Sequence, residues 1–425
     1  MVAGVMKKVE LLSPAGNLKK LKIALAYGAD AVYGGVSHYS LRIRSGKEFT
    51  LESFKEGIDY AHSLGKKVYC TINGFPFNSQ IKLFAKHIET MADLAPDAFI
   101  VSTPGVIKLC QTIAPHIPIH LSTQANVMNY LDALVYYEMG VRRIIAAREI
   151  SLKDLAKIKE EVPGLELEIF VHGSMCFAYS GRCLISSVQS GRVPNRGSCA
   201  NDCRFEYTLY AENPQTGTLF KLEEVEGEGT YIMNAKDLNL ASHIKEILDA
   251  GVVDSLKIEG RTKSDYYAAI ATKAYRMAID DYYAGRFEPG KYQAELATTK
   301  HRGFTDGYLV SRPYEKTDTQ KLDSSISQGT HQVKAEVLED GLHFLTKDKI
   351  CKGEILEIVT PQGLEPKPCE NEIGKVWQED GKWWLRLDKI EANKEYECIH
   401  SGNIHPVKLP CALPPLSFLR QKIAV

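Results

Sequence analysis

Val9-Glu-Leu-Leu-Ser13-Pro-Ala-Gly16-Asn-Leu18-Lys-Lys-Leu21-Lys-Ile-Ala-Leu25-Ala-Tyr-Gly-Ala-Asp30-Ala-Val-Tyr-Gly-Gly35 reads as one strand–helix–strand unit. Val9–Ser13 and Asp30–Gly35 are short apolar runs, and between them Leu18, Leu21 and Leu25 recur at helical spacing. The same alternation continues to about residue 260. Further candidate strands are Lys67–Asn73, Asp97–Ser102, Pro118–Gln124, Arg142–Ala147, Glu166–His172 and Asp254–Glu259, eight in all. Eight strands alternating with helices predict a (β/α)8 TIM-like barrel. A doubly wound open sheet is the alternative, but no G-x-G-x-x-G follows any strand to support a dinucleotide site. After the eighth strand, Tyr267, Ile270, Ala274, Met277 and Ala278 mark a helix that stops near Gly285.

The pattern changes beyond a polar stretch, 317–332, which reads as a linker between a barrel at 1–316 and a second unit at 333–425. There, alternating runs flank Asp340-Gly341 and Asp380-Gly381, two strong hairpin signals. This predicts a small all-β barrel, with Trp377, Trp383 and Trp384 in its core rather than stacking on bases.

At 425 residues, with 44% hydrophobic and 25% charged residues, the chain has the composition of an ordinary globular protein. The net charge of −1 advertises no global attraction for nucleic acid, so an RNA partner would need a local basic face. Arg182, Arg192, Arg196 and Arg204 supply a candidate, opposed nearby only by Asp202 and Glu206. Met1 to Lys8 does not read as a signal peptide, and no long apolar run predicts a membrane span. A cytoplasmic location is the expectation, and a homo-oligomer is compatible with it.

Barrel enzymes place their chemistry at the C-terminal ends of the strands. Here those ends carry Ser13, Asn73, Ser122 and Gln124, Arg148 and Glu149, His172, and Glu259 with Arg261. The seventh-to-eighth connection runs about 80 residues, far beyond an ordinary βα loop. It opens with four of the chain's ten cysteines, Cys176, Cys183, Cys199 and Cys203, spaced C-x6-C-x15-C-x3-C. Thiols so concentrated point to an iron–sulfur cluster, with zinc or ordinary buried or redox-active thiols as alternatives. The scattered Cys70, Cys110, Cys351, Cys369, Cys398 and Cys411 read as small core residues, and no disulfide framework is expected.

The segment from Glu168 to Ser186, Glu-x-Phe-x-x-Gly-Ser-Met-Cys-x3-Ser-Gly-x-Cys-x-x-Ser, resembles the signature of the collagenase-like peptidase U32 family. The resemblance extends through Leu12-Ser-Pro-Ala-Gly16, His120-Leu-Ser-Thr-Gln124, Arg148-Glu149, Asn195-Arg-Gly-Ser-Cys199 and Ser255-Leu-Lys-Ile-Glu-Gly-Arg261. It is strongest to the branch that hydroxylates the tRNA wobble uridine with prephenate as precursor. Other relatives hydroxylate an rRNA cytidine or a quinone-precursor ring, and several carry a [4Fe–4S] cluster. The resemblance therefore implies a cluster on the four cysteines, tRNA as partner and a small dicarboxylate as co-substrate.

Under this reading Arg148 and Arg261 suit the two carboxylates, with Lys257 a weaker candidate inside its strand. Asn73, Gln124 and Glu259 are further contacts, Arg148 and Glu149 are also candidate catalytic residues, and Arg192 and Arg196 would meet RNA. Glu168 and His172 share a strand at even spacing, so they are expected on one face, handling a proton; the alternative is a buried ion pair. Proteolysis competes through a His172–Cys176 dyad, although neither H-E-x-x-H nor G-x-S-x-G occurs. An Fe–S scaffold or partner subunit is the non-enzymatic alternative. Two departures stand out. Ser102-Thr-Pro-Gly105 replaces Asp-Pro-Gly, and Asn239 stands where some relatives place a late cysteine, which fits Cys203 as fourth ligand.

Overall fold

The structure is a computed structural model that describes residues 8–36, 48–176, 178–192, 199–208, 210–221, 234–310, 316–321 and 326–423. All eight expected strands form: β1 (Glu10–Pro14), β2 (Ala31–Gly34), β3 (Lys67–Ile72), β4 (Ala98–Val101), β5 (Ile119–Leu121), β6 (Arg143–Ile145), β7 (Glu166–Ser174) and β8 (Ser255–Ile258). Each pairs in parallel with its neighbour, and β8 pairs with both β1 and β7, closing the barrel. The first helix, Leu18–Ala26, starts where the Asn17 side chain accepts the Lys20 N–H at 2.9 Å, and it buries Leu21, Ile23, Ala24 and Leu25.

The barrel interior departs from the usual stack of apolar layers. Arg143 on β6 donates to Glu10 at 2.5 Å, to Glu166 at 2.8 Å and to Glu168 at 3.2 Å. Lys257 on β8 reaches Glu168 at 2.7 Å, and the Tyr69 hydroxyl donates to Glu10 at 2.6 Å. Each charge in this layer is met by an opposite charge or a hydrogen bond, as burial demands.

A register shift between β7 and β8 decides where the end of β7 points. Lys257 lies opposite Phe170 and Ile258 opposite His172, so β7 carries one extra residue there. The bulge turns His172 to the outer side of the barrel wall, in line with the outward-facing Ile258. Past His172, β7 runs on to Ser174 and pairs antiparallel with Asp237–Asn239, which pairs in turn with Phe304–Thr305. These strands of three and two residues are too short to leave a periodic signal in sequence.

The C-terminal unit is the small all-β unit expected, an eight-stranded antiparallel sheet that curls into a half-barrel. Its end strands, Cys369–Glu370 and Val407–Lys408, hold two residues each and offer little backbone for closure. Asp380 and Gly381 take positive φ (51° and 72°) in the hairpin joining Gly374–Glu379 to Lys382–Leu387. Trp377, Trp383 and Trp384 are half-buried there, and Trp383 packs against the core. Cys351 and Cys398 face each other across paired strands and form a disulfide, correcting their reading as core thiols. The half-barrel packs on the first helix and on helix Asp265–Tyr283 through Tyr27, Tyr266, Val359 and Phe418. Among the described residues no helix is long and apolar enough to cross a membrane.

Candidate active site

A cavity of about 200 Å3 opens at the C-terminal end of the barrel. Its floor is made by inward-facing residues of successive strands: Tyr33, Thr71, Ile100, Ile145, Phe170 and Lys257. Its wall comes from the segments just past the strands, which contribute Asn73, Gln124, Arg148, Glu259, Arg261 and Lys263. Its cover is the cysteine excursion, and Cys176, Cys183, Cys199 and Cys203 all line it together with Ser180, Asn201 and Arg204.

Cations dominate the floor and wall. The Arg148 guanidinium lies 4.1 Å from the centroid of the Phe170 ring and has no carboxylate partner among the described residues. Arg261 donates to Thr71 Oγ1 at 2.9 Å. The Lys257 ammonium sits 4.1 Å from the Tyr33 ring centroid, and burial pulls its pKa down while Glu168 works against that fall. Burial likewise lowers Lys263, whose nearby acid Asp237 already binds Arg302 at 2.6 Å. Gln124 Oε1 accepts from Asn73 and from Ser102, each at 3.1 Å. Ser102 is thus a strut beneath the cavity wall, next to Thr103, which stands where the family pattern has Asp before Pro-Gly.

The excursion is clasped to the barrel at three points. Ser180 donates its N–H (2.8 Å) and its hydroxyl to Glu149, Asn126 reaches Tyr179 O at 3.2 Å, and Arg182 reaches Gln124 O at 2.9 Å. Burial and the other thiols raise Cys183, and burial raises Cys203 despite the adjacent Arg204. Among the described residues no three His, Cys, Asp or Glu side chains converge closely enough to hold a single metal ion. Asn239 turns away from the cavity, accepting from Ala241 N at 3.1 Å and Tyr275 OH at 3.3 Å.

A sequence model of peptidase family U32 matches residues 16–319. The chain belongs to that family. It is 62% identical over 422 residues to tRNA hydroxylation protein P of Helicobacter pylori (strain ATCC 700392 / 26695), covering 99% of this chain and 100% of the relative. It is 40% identical over 398 residues to tRNA hydroxylation protein P of Escherichia coli (strain K12), covering 84% and 87%. A more distant relative is the collagenase of Porphyromonas gingivalis (strain ATCC BAA-308 / W83), 31% identical over 316 residues and covering 71% and 74%.

Within this U32 site, Asn73, Gln124, Arg148, Lys257, Glu259, Arg261 and the four cysteines come together as lining residues. Four others do not, and a fifth lies outside the described residues. Glu168 is sealed beneath the floor between Lys257 and Arg143. His172, turned outward by the bulge, stacks 5.8 Å from Tyr267 and lies 5.5 Å from Tyr275, with its Nδ1 buried and without a hydrogen-bond partner among the described residues. It shares no face with Glu168 and makes no dyad with Cys176. Glu149 holds Ser180 instead of facing the cavity. Arg192 is exposed on the excursion and outside the lining, and Arg196 lies outside the described residues. Tyr33, Phe170 and Lys263 were missed: inward-facing aromatic strand residues look like core in sequence, and Lys263 stands two residues past the last motif position.

Proposed function

We propose that this U32 chain hydroxylates tRNA, converting the wobble uridine to 5-hydroxyuridine with prephenate as its small dicarboxylate co-substrate. The observation that carries the tRNA reading is the similarity to the two tRNA hydroxylation proteins, end to end for the first and over 84% of this chain for the second. The collagenase likeness is weaker and covers less of both chains. The cavity supports the co-substrate. Its volume is below the 300–1,000 Å3 typical of drug-sized ligands, which suits a compact organic acid better than a peptide. Arg148 and Arg261 would each take a carboxylate, and Tyr33 and Phe170 would flank a six-membered ring. Lys257, Gln124 and Glu259 would fix its orientation.

Cys176, Cys183, Cys199 and Cys203 would hold a [4Fe–4S] cluster. A cubane asks for four thiolate ligands, and these four thiols line one cavity. When bound, the cluster would supply one-electron chemistry at the mouth. Arg204 beside it offsets thiolate charge, and Arg192 stands outside to meet phosphate. A reducing cytoplasm suits such a centre.

Genetic epistasis tests this reading. Cells lacking this chain, and cells unable to make prephenate, should lose the same hydroxylated tRNA nucleoside. Wild-type chain should restore it to the first strain, and Arg148→Ala should not. Full modification without prephenate would overturn the co-substrate assignment.

A further inference from the structure

The excursion that covers the cavity carries an outward surface that the proposed chemistry does not use. Tyr179 and Phe205 are 47% and 53% exposed, and each adjoins a lining residue, Ser180 and Arg204 respectively. Both exposed residues are thus chain neighbours of the cavity lining. The described segments beneath them, 178–192 and 199–208, are tied together. Ala200 N–H donates to Ser186 Oγ at 3.1 Å, and the Tyr207 hydroxyl donates to Asp202 O at 2.8 Å. Between residues 178 and 208 the described charges are one-sided: Arg182, Arg192 and Arg204 against exposed Glu206, since Asp202 is buried.

Exposed rings interleaved with arginines are the surface that unpaired nucleotides recognise, because every base has a π-face and every step a phosphate. A duplex would hide its base faces from such rings. We propose that Tyr179 and Phe205 are stacking platforms for unpaired bases flanking the nucleotide at the cavity, with Arg182, Arg192 and Arg204 on the backbone. This rests on the tRNA reading above and deepens it. RNA is held as an opened single-stranded loop, read by stacking at the rim rather than by a broad positive field. The chain's net charge of −1 makes that local grip necessary.

The test is fluorescence anisotropy of the full-length protein with a labelled anticodon stem-loop, beside a fully paired RNA of equal charge. Wild type should prefer the loop. Tyr179→Ala and Phe205→Ala should each weaken loop binding roughly tenfold without changing its salt dependence, and Tyr179→Phe should restore it. Arg192→Ala should instead lower the salt slope by about one. If wild type binds the loop and both ring variants bind equally well, the platform assignment fails while the tRNA reading stands. If the ring variants convert a dimer to monomers and leave RNA binding unchanged, the surface belongs to a second copy of the chain and the assignment also fails. Failure of wild type to bind any RNA contradicts the tRNA reading itself.

Discussion

Glu149, in the loop after β6, accepts both the backbone N–H and the hydroxyl of Ser180, a residue buried midway between Cys176 and Cys183. Ser180 takes φ +40°, a left-handed conformation that a non-glycine residue holds only when its surroundings enforce it. The carboxylate is thus a clasp on the thiol loop. Glu149→Ala should loosen the excursion by on the order of 2–3 kcal/mol, the scale of losing hydrogen bonds to a charged acceptor. Quantitative alkylation with mass spectrometry should show faster labelling of Cys183, with Cys70 and Cys110 unchanged. Unaltered Cys183 labelling would contradict the clasp.

His172 gives a pH prediction. Burial holds its pKa down at about 3, so native protein keeps it neutral where unfolded chain would protonate it. Stability is therefore fully present above the usual histidine value of about 6.5 and is lost as pH falls toward 3, by at most about 1.4 kcal/mol per unit. His120, lowered by burial and by Arg143, adds to the same trend. His172→Phe keeps a ring among Tyr267, Tyr275 and Phe304, and it should reduce the loss between pH 6.5 and pH 5 by about 2 kcal/mol in urea titrations. It should also retain tRNA modification. A stable but inactive His172→Phe would restore the histidine to the chemistry.

Lys257 and Glu168 are both almost fully buried, 2.7 Å apart. Lys257→Met leaves Glu168 with only Arg143 and should cost about 3–5 kcal/mol by chemical denaturation. The double variant Lys257→Met/Glu168→Gln should recover most of that, because no unpaired charge is left in the barrel.

Arg420, 1% exposed, joins the half-barrel to the TIM barrel by bonding Glu357 at 2.7 Å and Glu295 at 2.9 Å. Burial would raise Glu295, but Lys273 and Arg420 overcome it and hold the carboxyl down at about 2. Its contribution is present above the usual carboxylate range and is lost as pH falls through that range toward 2. Calorimetry should show one transition at neutral pH and two below about pH 4. Arg420→Met should separate the transitions at neutral pH.

The barrel was legible because its eight apolar runs are separated by helices of clear period, and the mouth because strand ends occupy fixed places in that fold. Asn73, Gln124, Arg148, Glu259 and Arg261 were found on that ground. His172 was misplaced because even spacing puts residues on one face only in a regular strand, and the bulge before it arises from pairing with β8. Glu149 and Glu168 were read as chemical groups because a carboxylate's partners, Ser180, Arg143 and Lys257, lie far away in sequence. The Cys351–Cys398 disulfide was hidden likewise, since it depends on two short strands lying opposite one another.

The most direct test of the central claim is nucleoside mass spectrometry of tRNA and rRNA from cells lacking this chain. The account predicts loss of 5-hydroxyuridine derivatives from tRNA, restored by wild type and not by a variant carrying Cys176→Ala. Unchanged tRNA nucleosides, or a loss confined to rRNA hydroxycytidine, would contradict it.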